Sequence, residues 1–200
     1  MSPHRHLVVF AKAPRLGRVK SRLAGDIGVV AAWVFYRRTL AAVLRRLSGR
    51  GRWRGWIAAT PDVWAARGAQ WPAGWTVIPQ GGGDLGERMD RAMRALPPGP
   101  VVIVGTDIPG LSRRHVEAAF RALGRHDAVF GPAADGGYWL VGLRRTPAVP
   151  RLFVGVRWSS EHALADSLAN LGSRHTVARL DVLEDVDDGA ALVRWLKGDA

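Results

Sequence analysis

Val101-Val102-Ile103-Val104 is apolar and β-branched at every position. That is the pattern of a strand covered on both faces, not of one with a wet side. Such a strand needs helices above and below it, which restricts the chain to layered α/β arrangements. The rest of the sequence agrees. Short apolar runs predict further strands over Leu7 to Ala11, Trp56 to Ala59, Trp75 to Ile78, Ala128 to Phe130, Tyr138 to Val141 and Thr176 to Leu180. Helical patterns fall between them: Gly28 to Leu47, Asp84 to Leu96, Arg113 to Leu123, Ser160 to Leu171, and about Asp188 to Lys197. Strands alternating with helices predict a parallel or mostly parallel sheet in three layers.

Within these elements the punctuation is informative. Asp84 followed by Glu87 predicts a capping box at the start of one helix. Ser112 and Gly124 bracket another, and Gly172 ends a third. On the long helix, Val30, Trp33, Val34, Leu40, Leu44 and Leu47 recur at helical spacing and predict the buried stripe. Arg38, Arg45 and Arg46 point away from it, whereas Arg37 falls on it.

The chain has 200 residues, enough for one domain with a full core. No apolar run approaches the roughly 20 residues of a membrane span. The polar opening from Met1 to His6 leads directly into the first strand without a secretory leader pattern. There is no cysteine, which excludes disulfides and thiolate metal sites. A cytoplasmic location is the expectation.

The net charge of +12 comes almost wholly from arginine spread along the whole chain. A clustered basic face, the footprint of a nucleic-acid binder, is not evident. Lysine is confined to Lys12, Lys20 and Lys197, and two of these three stand in the loop after the first strand. Lysine contacts phosphate as a compact point charge.

That loop, Phe10 to Leu23, leaves the carboxyl end of its strand, where open α/β sheets bind ligands. Pro14 and Gly17 shape it, and Lys12, Lys20 and Arg22 make it basic. It lacks the spacing of a Walker loop. Gln80-Gly81-Gly82-Gly83-Asp84 is a second strand-end loop feeding a helix. It can offer backbone N–H groups to an anion or serve simply as a flexible connection.

Gly105-Thr106-Asp107-Ile108-Pro109-Gly110 ends the apolar strand in a carboxylate, which can ligate Mg²⁺ or merely cap the turn. Asp135, beside Gly136 and Gly137, reads equally as a hairpin turn or a functional acid. Asp185-Val186-Asp187-Asp188 gathers acids before the last helix; one caps it and another can serve as a second metal ligand. Trp158 and Ser159 precede a further helix start and can hold a substrate. His162 reads as helix surface. Hydrolase signatures such as Gly-x-Ser-x-Gly and His-Glu-x-x-His are absent.

Six ordered motifs carry a family resemblance: Phe-Ala-Lys-Ala-Pro-x-x-Gly-x-x-Lys-Ser-Arg-Leu at 10–23, Gln-Gly-x-Gly-Asp-Leu-Gly-Glu-Arg-Met at 80–89, Gly-Thr-Asp-Ile-Pro-Gly-Leu at 105–111, Pro-Ala-x-Asp-Gly-Gly-Tyr at 132–138, Leu-Phe-x-Gly-Val-x-Trp-Ser at 152–159 and Asp-Val-Asp at 185–187. Together they resemble the bacterial DUF2064 family. The resemblance implies a GT-A (nucleotide-diphospho-sugar transferase) fold, a three-layer α/β/α sandwich around a mostly parallel mixed sheet, and kinship with 2-phospholactate guanylyltransferase and the guanylyltransferase of molybdenum cofactor synthesis. Where many GT-A glycosyltransferases carry Asp-x-Asp, Asp107 here is followed by Ile108-Pro109, closer to the nucleotidyltransferase pattern.

The expectation is a metal-dependent glycosyl- or nucleotidyltransferase acting on a nucleotide or nucleotide sugar and a small-molecule acceptor. Lys20, Asp107 and Asp135 are its candidate catalytic residues. Lys12, Pro14, Gly17, Arg22, Gln80, Gly81 and Asp84 would bind the nucleotide, and Asp107 with Asp187 would bind Mg²⁺ or Mn²⁺. Gly136, Gly137, Trp158 and Ser159 would contact substrate. The rival readings are a non-catalytic nucleotide-binding protein and a basic nucleic-acid-binding module.

Overall fold

The computed structural model describes residues 4–48, 52–65, 71–146 and 148–198, so the first three residues of the polar opening lie outside it. Among the described residues seven strands form one sheet: β1 (His6–Lys12), β2 (Arg54–Thr60), β3 (Thr76–Pro79), β4 (Val101–Val104), β5 (Ala128–Pro132), β6 (Tyr138–Leu143) and β7 (Val177–Arg179). They are ordered β3-β2-β1-β4-β6-β5-β7. β1 pairs in parallel with β2 and β4, β2 with β3, and β5 with β7. Among the described residues, β6 alone runs antiparallel to its neighbours, β4 and β5. The sheet is therefore mixed and mostly parallel, as the sequence predicts.

The helices are α1 (Ser21–Ile27), α2 (Val29–Leu47), α3 (Leu85–Ala95), α4 (Arg113–Ala122), α5 (Ala163–Leu171) and α6 (Gly189–Lys197). Alternate strand residues divide the interior in two. Leu7, Val9, Val102 and Val104 pack with Tyr36, Leu40, Val43 and Leu44 of α2 and Val116 and Phe120 of α4. Val8, Val101 and Ile103 face the other way, onto Met89, Ala92 and Met93 of α3 and Leu171 of α5. This is the three-layer arrangement that the β4 run requires, and all four β4 residues are buried.

Three local expectations change. Residues 21–23, read as the end of the loop, instead open α1; the chain then breaks at Gly28, whose φ of 88° lies in the region that favours glycine. The buried stripe of α2 is rotated from the expected one: Ala32, Tyr36, Thr39, Leu40, Val43, Leu44 and Leu47 face inward, while Val30 is 63% exposed. Rotation also accounts for Arg37, which is exposed with its guanidinium 4.6 Å from the Trp33 ring centroid. The start of α5 falls at Ala163 because the Ser160 hydroxyl donates to the Arg157 carbonyl (2.7 Å) and holds the preceding residues in a turn.

The Asp84–Glu87 box forms as expected. The Glu87 amide donates to Asp84 Oδ1, and the Asp84 amide donates to Glu87 Oε2, both at 2.8 Å. Asp188 likewise caps α6, accepting from the Ala191 amide at 2.8 Å.

Candidate functional site

β1 and β4 are adjacent and parallel, so the segments leaving their carboxyl ends open onto the same edge of the sheet. A cavity of about 560 Å³ lies there. Lys12, the last residue of β1, stands at its wall. The Lys12 backbone is fixed by the Tyr36 hydroxyl, which accepts from its amide (3.0 Å) and donates to its carbonyl (2.8 Å). Burial pushes the Tyr36 hydroxyl up to about 12, so it remains protonated.

Lys20 is the centre of the arrangement. It caps α1 with φ 50° and ψ 52°, a left-handed conformation that non-glycine residues rarely adopt. Its side chain is only 4% exposed, and its Nζ lies 2.9 Å from Asp107 Oδ1 and 2.6 Å from Asp187 Oδ1. The two acids come from distant segments. The Val186 amide donates to the Asp107 carbonyl (3.0 Å) and binds the 185–187 strip to the turn after β4. The Gly189 amide donates to Asp26 Oδ2 (2.7 Å), tying the start of α6 to α1.

Asp135 lies in the turn joining β5 and β6, exposed at the cavity mouth, and its Oδ1 accepts from the Gly137 amide at 2.9 Å. Gly136 holds φ 83°, and a Cβ there would come within 2.3 Å of the Glu161 carbonyl oxygen; the turn is wedged against the 158–164 segment. Trp158 and Ser159 also line the cavity. The Trp158 ring meets Tyr138 edge-on at 6.3 Å, and its buried Nε1 has no hydrogen-bond partner among the described residues.

Of the residues singled out from sequence, Lys12, Lys20, Arg22, Gln80, Asp107, Asp135, Gly137, Trp158, Ser159 and Asp187 line this one cavity. Arg22 does so from the first turn of α1 rather than from a loop. Gln80 is buried, and its Nε2 donates to the Ala58 carbonyl at 2.8 Å.

Pro14, Gly17, Gly81, Asp84 and Gly136 do not line it. The Pro14 carbonyl accepts from Trp33 Nε1 at 2.7 Å, and Gly17 lies in the turn before α1. The Gly81 amide is already donated to Asp62 Oδ1 at 3.1 Å, and the Asp84 carboxylate is engaged in its cap. Gly136 turns its carbonyl to the Leu164 amide at 3.1 Å.

Arg88 and Tyr36 join the cavity without having been singled out for it, and so does Asp185, which the sequence marks only as one of the 185–188 group of acids. Asp185 had a signal in the sequence: Val186 is 1% exposed, and with it pointing inward the flanking acids are both left facing the cavity. Burial first, and the neighbouring Asp187 and Asp135 carboxylates with it, push the Asp185 carboxyl up to about 6.

A larger cavity of about 1210 Å³ lies beside α2, walled by Trp33, Trp64, Trp71 and Trp75 with Arg37, Arg45 and Arg113. It has no carboxylate among the described residues lining it, so it lacks the paired charges of the sheet-edge site.

Among the described residues no group of three or more acidic, histidine or cysteine side chains is arranged around a metal position. Asp107 and Asp187 nevertheless converge on a single point, now taken by the Lys20 ammonium. Two carboxylates without a soft donor suit Mg²⁺ or Mn²⁺, which fill the rest of their shell with water and substrate phosphates. The residues present fit such an ion.

The family described as "Uncharacterized protein conserved in bacteria (DUF2064)" matches residues 43–160. The chain belongs to DUF2064. This DUF2064 protein is 31% identical to a crystallised protein from Desulfovibrio desulfuricans named as a candidate nucleotide-diphospho-sugar transferase. The match has a TM-score of 0.91 and covers 100% of this chain and 88% of that one. Rv0371c from Mycobacterium tuberculosis, crystallised with manganese, is 20% identical with a TM-score of 0.59, covering 98% and 100%. CMP:2-keto-3-deoxy-manno-octonic acid synthetase complexed with CTP is 12% identical with a TM-score of 0.58, covering 98% and 99%. The fold is that of the nucleotide-diphospho-sugar transferases. No curated protein matches the sequence significantly. Among the described residues no helix is long and apolar enough to cross a membrane.

Proposed function

We propose that this DUF2064 protein is a metal-dependent transferase acting on a nucleotide donor, the whole chain serving as one transferase domain, with nucleotidyl transfer the reading best supported. The observation that carries it is the convergence of Asp107 and Asp187 on one point inside a cavity also lined by Lys12, Lys20 and Arg22. Paired carboxylates set among cations suit a metal-bridged polyphosphate. Asp107 stands alone before Ile108-Pro109 rather than in an Asp-x-Asp pair.

In this mechanism Lys12 and Arg22 hold the donor's terminal phosphates, and Asp107 with Asp187 hold the divalent ion. The ion, when bound, neutralises charge on the phosphates. An acceptor oxygen, from a phosphate or hydroxyl, forms a bond to the α-phosphorus. The bond from that phosphorus to its bridging oxygen breaks, and pyrophosphate leaves with the electron pair. Lys20, freed from the acids, stabilises the charge on the departing group. Asp135, at the mouth, accepts the proton of a hydroxyl acceptor, and the wall of Trp158 and Ser159 orients the acceptor.

The fold is shared with a synthetase crystallised with CTP and a protein crystallised with manganese, which is in keeping with this reading. Glycosyl transfer is the second reading, favoured by the name of the Desulfovibrio relative. There the same cations would stabilise a departing nucleoside diphosphate.

A thermal-shift screen of nucleoside triphosphates and nucleotide sugars, with and without Mg²⁺ or Mn²⁺, tests the proposal. A specific donor at a hundredfold excess over Kd stabilises by about 2.7 kcal/mol. Lys20→Ala and Asp107→Ala should lose that shift while remaining folded. Retained shifts in both variants would reject the site. Pyrophosphate among the products identifies nucleotidyl transfer; a nucleoside diphosphate identifies glycosyl transfer.

A further inference from the structure

Lys20 occupies an unusual position for a phosphate ligand. Although Lys20 lines the cavity, its side chain is only 4% exposed, and its ammonium is shared between Asp107 and Asp187 at 2.9 and 2.6 Å. The carboxylates remain 46% and 45% exposed on their outer sides. One positive charge thus neutralises half of a two-carboxylate site, from within, while the acids stay open to a second cation from outside. Keeping a lysine in the left-handed region to cap α1 suggests that the placement of its side chain matters more than local backbone preference.

We infer that Lys20 is the site's resident counter-cation, filling the place between Asp107 and Asp187 until a divalent ion and a polyphosphate together displace it. The inference rests on the metal–nucleotide reading of this cavity. A metal ion arriving alone must compete with an ammonium already in contact with both ligands. A polyphosphate arriving alone must draw that ammonium away from two anions. Arriving together, the ion takes the carboxylates and the phosphates take the ammonium, so each ligand favours the other. By linkage the favour is reciprocal, and couplings of this kind typically amount to roughly 5–150-fold. The arrangement weakens occupation of the acids by a free divalent ion before the donor is present.

The test uses Mn²⁺ alone, without nucleotide, measured by the electron paramagnetic resonance signal of the free ion. Lys20→Met should bind Mn²⁺ roughly tenfold more tightly than the parent, within the coupling range above. Lys12→Met removes a charge from the same cavity but not from the carboxylate bridge, and should change the affinity far less. Equal affinities in the two variants would overturn the inference.

Should Lys20→Met fold poorly, the parent chain supplies the answer, because it holds only Lys12, Lys20 and Lys197. In nitrogen-15 spectra of the lysine ammonium groups, saturating Mg²⁺ should move the Lys20 signal and leave the other two in place. Saturation with an unmoved Lys20 signal would refute displacement. A chain with the predicted Mn²⁺ behaviour but no transfer from any donor would instead reject the transferase reading and leave this inference standing.

Discussion

Replacing Gly86 by Ala tests how α3 supports the wall of the cavity. Gly86 is buried in the first turn of α3. A Cβ there would lie 2.6 Å from Trp158 Cζ2, 2.8 Å from Phe153 Cβ and 3.0 Å from the Phe153 carbonyl oxygen. Two of those three atoms are main chain or attached directly to it, so they cannot rotate away. Overpacking of this kind costs about 1–3 kcal/mol, and the helix preference of Ala over Gly returns about 1 kcal/mol. With backbone obstructing relief, the net expectation is a loss of about 1–2 kcal/mol.

Gly25, inside α1, has nothing within 4 Å of its virtual Cβ. Gly25→Ala should therefore show the propensity gain alone, about 0.5–1 kcal/mol. Urea unfolding of both variants gives the signs directly. The melting temperature of Gly86→Ala should fall by about 2–8 °C. Because Trp158 lines the cavity, donor affinity should weaken as well. A Gly86→Ala protein as stable as the parent, beside a stabilised Gly25→Ala, would refute the packing argument.

Three further outcomes are expected. Asp84→Ala removes the α3 cap and should cost about 1 kcal/mol in urea unfolding, yet keep the nucleotide-induced thermal shift, since Asp84 does not line the cavity. Tyr36→Phe leaves the Lys12 amide and carbonyl without the hydroxyl that now bonds both, at a cost of about 1–3 kcal/mol; calorimetry and a weakened donor affinity would register it. His6 is fully buried, its Nδ1 accepts from Trp56 Nε1 at 3.1 Å, and burial holds its imidazole below the usual value. The unfolded chain therefore takes a proton near pH 6.5 that the folded chain refuses, so the His6 contribution is intact above that pH and drains away below it. His6→Gln keeps an acceptor without titrating, and its stability should gain on the parent's between about pH 7.5 and 5; parallel stability curves would contradict this.

The features legible in the sequence were those set by local chemistry. β4 is bounded as its apolar run predicts, and Asp84 with Glu87 forms the predicted box. Strand-end logic brought Lys12 and Asp107 to one edge because β1 and β4 are parallel neighbours. What was not legible depends on rotation and on distant contacts. Spacing alone did not orient α2, where Val30 faces solvent and Tyr36 turns inward to hold Lys12. Pro14 and Gly17 make residues 21–23 read as loop, although they open α1, which packs against α2 and α6. No local pattern announces that the Val186 amide finds the Asp107 carbonyl, and that contact is what brings Asp187 to Lys20.

The most direct measurement is a crystal structure of the chain grown with Mn²⁺ and the nucleoside triphosphate giving the largest thermal shift. Anomalous scattering should place the ion between Asp107 and Asp187, with the polyphosphate bridging it to Lys12, Lys20 and Arg22. A nucleotide seated elsewhere, or an ion bound away from those two carboxylates with Lys20 still between them, would contradict the account.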